Sequence, residues 1–293
     1  MKKIIYTLVA LAFSSATFAQ FSRGNAVKSD EFYPGAIFNE KSLKGLEPQK
    51  LLTATETSAV ILPSSLLEDS FEISDYSKEN WHAIIDKYYA KLSKATQNES
   101  FSFSTPSQVY SLKHLDKDYN TYESIKNYFG VDAITSKNLF FGKSEQILFS
   151  FLVIDPINKE DRYISKEALE KIKEQDPILI QSVGFGKRAD ILIASNKLDT
   201  EIRTAFNIYR SKETQRYKEA DQILADASVH IILFGKNNID TSNLTNQEII
   251  LAYIDFITKP AVKEDYYYPI KYEGLHLNNR MIYQSDIMQD SYK

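Results

Sequence analysis

Between Ser77 and Ala95 the apolar residues Trp81, Ile84, Ile85, Tyr88, Tyr89 and Leu92 recur every three or four positions, which is one face of a helix behind a Ser77 cap. The same spacing returns in Leu112, Leu115, Tyr119, Tyr122, Ile125 and Phe129, a more polar stretch closed by Gly130 as a C-cap. It returns again in the short run SKEALEKIKEQ (165–175) and in TNQEIILAYIDFITK (245–259). Between these helices lie runs that read as strands: FSFSTPSQVYSL (101–112), EQILFSFLVIDP (145–156), ILIQSVGFGKRADILIAS (178–195) and VHIILFG (229–235). Gly184 and Gly186 interrupt the longest of them, where a bend or bulge is expected. Residues 30–65 alternate short apolar runs with Pro and Gly, and an aromatic run YYYPIKYEGLHLN (266–278) closes the pattern. Strands and helices in this order predict an antiparallel sheet with helices gathered beside it, so the class is α+β.

One stretch fits two periods. In TEIRTAFNIYR (200–210), Ile202, Ala205, Phe206 and Tyr209 share a helix face, while Ile202, Thr204, Phe206 and Ile208 share one side of a strand. Double fits of this length arise by accident, so the stretch acquires meaning only from its surroundings. A helical segment is expected to run from it past QRYKEADQILADAS (215–228).

Composition narrows the classes. Lys2 and Lys3, the apolar run IIYTLVALAF and small residues up to Ala19 read as a cleaved secretory signal, so the product is expected outside the cytoplasm, secreted or periplasmic. No later stretch approaches the roughly 18 uninterrupted apolar residues of a membrane helix. The formal net charge of −4 becomes −6 once Lys2 and Lys3 are removed, which argues against a nucleic-acid partner. Without cysteine, thiol catalysis, disulfides and N-terminal lipidation on sulfur are excluded. The 19 Tyr and 17 Phe against 9 Gly suit half-buried pleated surfaces.

Enzymatic signatures fail on inspection. Gly142-Lys143-Ser144 ends like a phosphate-binding loop, but the required earlier glycine is Lys137. GFGKR lacks the third glycine of a dinucleotide loop, and there is no nucleophile elbow. His82, His114, His230 and His276 are scattered without ligand spacing, and Asp116 and Asp118 fit the acidic first turn of a helix. No catalytic residue, metal or cofactor is expected. Asn98-Glu-Ser and Asn243-Leu-Thr are formal glycosylation sites only.

Five stretches in order carry a resemblance. YPGAI (33–37) resembles YPGAL, NYFGVDAI (127–134) resembles NSLGVDFNA, and EQILFSFLVIDP resembles KQIFYTVSADLP. QSVGFGKRADILIAS is similar to VSNVAYGRTIYVKLET, and YYYPIKYEGLHLNN to PAYPISYTSVFLKDN. These are stretches of the cholesterol-dependent (thiol-activated) cytolysins, secreted pore-forming toxins, and the likeness runs from about Asp30 to Arg280.

The resemblance implies a central twisted antiparallel sheet flanked by two helical clusters, with an elongated β domain, and clusters that unfurl into β-hairpins which a ring of subunits joins into a transmembrane barrel. The candidate insertion residues are then Leu115, Tyr119, Ile125 and Phe129 in the first cluster and Ile202, Thr204, Phe206 and Ile208 in the second. Tyr110, Gly184, Gly186, Phe234 and Gly235 become hinge or oligomerisation candidates, Tyr110 facing a partner position near Ser228. The family's glycine pair reads Phe234-Gly235 here, and charges interrupt both segments. The expected domains are 20–55 with 270–293 (elongated β domain), 56–108 with 157–199 and 246–269 (core), and 109–156 with 200–245 (pore-forming). The family's C-terminal membrane-recognition domain would begin after about Asp286 and the sequence stops at Lys293, so a longer homologous partner is expected to bring the chain to lipid. The other reading is a secreted or periplasmic binding or regulatory protein that kept the fold without insertion.

Overall fold

The structure is a computed structural model that describes residues 32–43, 59–63, 71–73, 78–93, 100–110, 129, 138–154, 164–234, 241 and 243–283. In chain order the elements are β1 (Ile37–Asn39), α1 (Glu40–Leu43), β2 (Ala59–Pro63), β3 (Phe71–Ile73), α2 (Lys78–Leu92), β4 (Ser100–Ser102), β5 (Ser107–Val109) and β6 (Asn138–Ile154). There follow α3 (Lys166–Ile172), β7 (Pro177–Ser195), α4 (Asp199–Arg210), α5 (Tyr217–Ile223), β8 (Ser228–Phe234), α6 (Asn246–Thr258), β9 (Pro269–His276) and β10 (Ile282–Tyr283). Among the described residues all ten strands belong to one sheet, and every pairing in it is antiparallel. The α+β class and the antiparallel sheet read from the sequence are those of the molecule.

Two long strands, β6 and β7, form the spine. At one end β7 is flanked by β9 and β1, and at the other by β8, while β6 carries β2, β4 and β5 along its far side. Burial follows the period of two. At the β8 end, Phe140, Ala189, Ile191 and Ile193 face α4, α5 and α6, whereas Leu139, Leu192 and Ala194 face the other way with Phe129, Val109 and Ile232. At the β9 end a third cluster joins Phe149, Phe151, Phe185 and Tyr272 to Trp81 of α2, with Phe149 stacked on Phe185 at 5.0 Å.

Two strand expectations need correction. β6 begins at Asn138, seven residues before the apolar run that announced it, because the charges of FGKSE are paired: Glu145 lies 3.3 Å from Lys271 Nζ on β9 and 3.9 Å from Lys143 Nζ on its own strand. The run 101–112 is not one strand but β4 and β5 with Phe103–Pro106 between them. Gly184 and Gly186 do sit at irregularities: register shifts between Ile147 and Phe149 on β6, and between Gly184 and Phe185 against β9. At Gly186 a Cβ would fall 1.9 Å from the Gln146 carbonyl oxygen, so no other residue fits there.

Candidate functional site

The helical segment after β7 is a helix-turn-helix laid on the sheet. α4 starts without a Ser, Thr, Asp or Asn cap; the Glu201 carboxylate instead accepts from the Leu198 N–H at 2.9 Å, and Asp199 and Glu201 suit the positive end of the helix. At its far end Lys212 takes a left-handed φ of 55°, a short 3₁₀ turn covers 214–216, and α5 returns along α4. Helical spacing thus wins in this form: Ile202, Ala205, Phe206 and Tyr209 are all fully buried. Ile208 lies off that stripe and is buried as well, within the same cluster as Ala220 and Leu224 beyond the turn. The Tyr209 hydroxyl donates to Asp221 Oδ1 at 2.6 Å and closes the pair.

The outer surface of this segment is charged. Arg216 forms ion pairs of 2.9 Å with Glu213 and with Glu219, Arg203 lies 3.9 Å from Asp199, and Lys212 lies 4.0 Å from Asp255 of α6. Beneath it, an aromatic group ties α4 to α6. Phe206, Tyr253 and Phe103 have ring centroids 6.0 to 6.1 Å apart, and the Arg210 guanidinium sits 4.7 Å from the centre of the Phe103 ring. Tyr253 and Ser144 share a hydroxyl–hydroxyl bond of 2.7 Å, and burial pushes the Tyr253 hydroxyl far above its ordinary value.

Polar groups are also buried in the sheet. Arg188 and Asp190, two apart on β7 and so on one face, form a bidentate pair with bonds of 3.0 and 2.6 Å, and neither side chain has exposed surface. Phe234 covers the Arg188 guanidinium at 4.7 Å. Across the ladder Glu145 pairs with Arg188; burial pushes its carboxyl up, but Lys143, Lys271 and Arg188 together hold it below its ordinary value. Lys187 donates to the Lys259 carbonyl at 2.5 Å, at the end of α6, and burial lowers its pKa. Burial likewise lowers His230, which lies on β8. None of this ionic core was foreseen; the signal was in KRAD, opposite charges at i and i+2 within an apolar strand.

Of the sequence candidates, Ile202, Phe206 and Ile208 meet in one buried cluster with the sheet, and Thr204 is exposed, donating to the Thr200 carbonyl at 2.7 Å. Phe129 is buried against the opposite face of the sheet. Leu115, Tyr119, Ile125 and Gly235 lie outside the described residues. Tyr110 follows the end of β5 with 86% of its surface exposed, and Ser228 opens β8 on the other side of the sheet, paired with Ala194. Among the described residues no three His, Asp or Glu side chains gather as a metal ion requires, and no helix is long and apolar enough to cross a membrane, which says nothing of strands.

No family model matches the chain, and no curated protein sequence matches it. Solved structures do. The human-specific toxin intermedilysin superposes with a TM-score of 0.63 at 14% identity, over 89% of this chain and 60% of that one. Listeriolysin O gives 0.63 at 18% identity over 89% and 58%, and a non-hemolytic pneumolysin from Streptococcus pneumoniae gives 0.64 at 18% over 89% and 60%. The chain therefore spans about 60% of the length of the toxins it matches. With the spine strands, the bulged glycines and the helical segments in place, the fold is that of the cholesterol-dependent cytolysins.

Proposed function

We propose that this chain is a secreted component of a pore-forming toxin: it oligomerises, and its segments near 111–130, which apart from Phe129 lie outside the described residues, and 199–227 become membrane-spanning β-hairpins. A longer homologous partner supplies membrane binding. The observation that carries the reading is α4. Its buried face in water includes Ile202, Phe206 and Ile208, which are also the apolar parity of a strand, while Glu201, Arg203 and Asn207 fall on the other parity. Closure into a barrel would satisfy every strand amide in lipid. The domain division set out from the sequence belongs to this proposal, as do the hinge roles of Gly184, Gly186, Phe234 and Gly235 and the intersubunit role of Tyr110.

A second reading is favoured by the ion pairs. Burying one Lys or Arg at the bilayer midplane costs about 2–4 kcal/mol, and Arg216 with Glu213 and Glu219 lies within the converting segment. A secreted or periplasmic regulatory protein that binds a pore-forming relative without inserting would keep such charges, and one neighbour in fold is itself described as non-hemolytic.

The test is dye release from lipid vesicles. Purified mature chain is added to the secretome of its source depleted of this protein, with and without limited proteolysis, and the same samples are scored for heat- and detergent-resistant oligomers. Leakage and oligomers that require this chain support the pore reading. Suppression of a partner's leakage, without oligomers containing this chain, supports the regulatory one.

A further inference from the structure

On the side of the sheet that faces away from α4 and α6, four charges form a block on the two spine strands. Lys143 and Glu145 share the parity of Leu139 and Phe141 on β6, and Arg188 and Asp190 share that of Leu192 and Ala194 on β7. The ladder sets Lys143 opposite Asp190 and Glu145 opposite Arg188, so both cross-strand pairs are complementary. Along β7 the bidentate Arg188–Asp190 pair closes the block, and Lys271 of β9 extends it, 3.3 Å from Glu145. Desolvation offsets much of the attraction between charges buried this deeply, so their contribution to stability is small for their number. They still discriminate between pairings.

A slip of two residues keeps every side chain on its own face of the sheet, whereas a slip of one turns them over. From the observed register, a slip of two in one direction sets Lys143 against Arg188, and in the other it sets Glu145 against Asp190. Like charge then meets like charge either way. A slip of one, which irons out the irregularity between Ile147 and Phe149, brings Lys143 opposite Ile191 and Glu145 opposite Ala189, residues of the face that α4 and α6 bury. Apolar contacts discriminate less. Leu139 and Phe140 face Ala194 and Ile193, and after a slip of two they face Leu192 and Ile191. Gly186 admits the close approach of the Gln146 carbonyl but, having no side chain, opposes no other pairing.

We infer that Lys143, Glu145, Arg188 and Asp190 form a register key, a device that selects one alignment of β6 on β7 among several that the apolar pattern accepts. Because β7 leads into α4 through residues 196–198, the key also fixes where that helix lands. A slip of two moves the start of α4 by about 7 Å along the sheet. That breaks its two anchors there: the Gln108 N–H that donates to Asp199 Oδ1, and the Asn138 side-chain amide that donates to the Lys197 carbonyl. The key is a property of the soluble chain and stands apart from the proposed pore.

Disulfide trapping reads the register. The chain has no cysteine, so introduced pairs report which residues meet when the full chain refolds from urea under oxidising conditions. Leu139→Cys with Ala194→Cys reports the observed register. Leu139→Cys with Leu192→Cys reports the slip that sets position 143 on Arg188, and Phe141→Cys with Ala194→Cys the opposite slip. In the observed register both of these pairs are diagonal, about 7–8 Å apart and beyond disulfide reach. Lys143→Glu repels Asp190 in the observed register and suits Arg188 in the slipped one, so trapping of 139 with 192 is expected to rise about tenfold or more. Trapping of 141 with 194 should not rise. Asp190→Lys repels Lys143 and suits Glu145, and is expected to raise 141 with 194 instead. Each comparison is made within one cysteine pair, so the cost of the cysteines is common to both arms. Equal rises in the two diagonal pairs mean general loosening and overturn the key, as does trapping confined to 139 with 194 in every charge variant. Should either charge reversal fail to fold, Lys143→Gln, at a side chain 31% exposed, must still raise 139 with 192 because it removes the like charge that opposes Arg188. No rise there sinks the idea.

Discussion

α4 and α6 lie side by side on the same face of the sheet and are buried in the same cluster, yet their sequences permit different futures. α6 opens on Thr245, whose hydroxyl accepts from the Glu248 N–H while Glu248 accepts from the Thr245 N–H: a full capping box. It is mostly apolar, and drawn out as a strand it would show Ile249, Leu251, Tyr253, Asp255 and Ile257 on one side and Ile250, Ala252, Ile254 and Phe256 on the other, with Asp255 the one charge among them. Such a strand has no face for water. α4 has the weaker cap and a cleanly divided surface, and as a strand it would show Ile202, Thr204, Phe206 and Ile208 against Glu201, Arg203, Ala205, Asn207 and Tyr209. Two helices equally well packed in water thus differ in what else they can become. Burial measures the present structure, and the pattern of polar positions measures the alternative.

In the soluble chain the two helices should weigh alike. Phe206→Ala is expected to cost about 3–5 kcal/mol and Ile254→Ala about 2–5 kcal/mol in urea unfolding, because each empties a filled site. A large gap between them would break the comparison. The next effect separates them. Thr204→Lys adds a charge at a position exposed in the helix but lipid-facing in the strand, so stability in water holds while leakage falls by the about 2–4 kcal/mol of a midplane charge. Asn207→Lys, equally exposed in the helix but on the other strand face, should leave both intact. Smaller still, Thr245→Ala is expected to cost α6 about 1 kcal/mol in the same unfolding assay.

The last effect lies in the ionic layer of the sheet on which both helices rest. Against burial, Lys143, Lys271 and Arg188 hold the Glu145 carboxyl below its ordinary value in the folded chain, so around that ordinary value the folded state binds fewer protons than the unfolded one. Its stabilising share is whole above that pH and is lost as pH falls through the folded value. Glu145→Gln should therefore flatten the acid limb of a stability–pH curve and leave its neutral limb parallel to that of the natural chain.

How much of this could be read beforehand follows from the range of each interaction. α2, α4 and α6 were legible because their apolar stripes are local, and β7 because its apolar run is long. The start of β6 was not, since Lys143 and Glu145 look like loop residues until Lys271, more than a hundred residues away, supplies the partner. The bulge between β4 and β5 was missed for a similar reason: FSFSTPSQV alternates acceptably, and only pairing against β6 reveals the surplus residue. The double period of 200–210 was visible at once, but its setting against an aromatic cluster was not, because Phe103 and Tyr253 lie far away in the chain.

The central claim is that α4 exchanges a helix for a strand. Because the chain has no cysteine, single cysteines placed in turn from Ile202 to Tyr209 can each carry one environment-sensitive dye, read first in solution and then in vesicle-bound assemblies. The account predicts that emission in the assemblies alternates from residue to residue, apolar at Ile202, Thr204, Phe206 and Ile208 and aqueous at Arg203, Ala205, Asn207 and Tyr209. A pattern that keeps the three-to-four spacing of the soluble helix after assembly would contradict it.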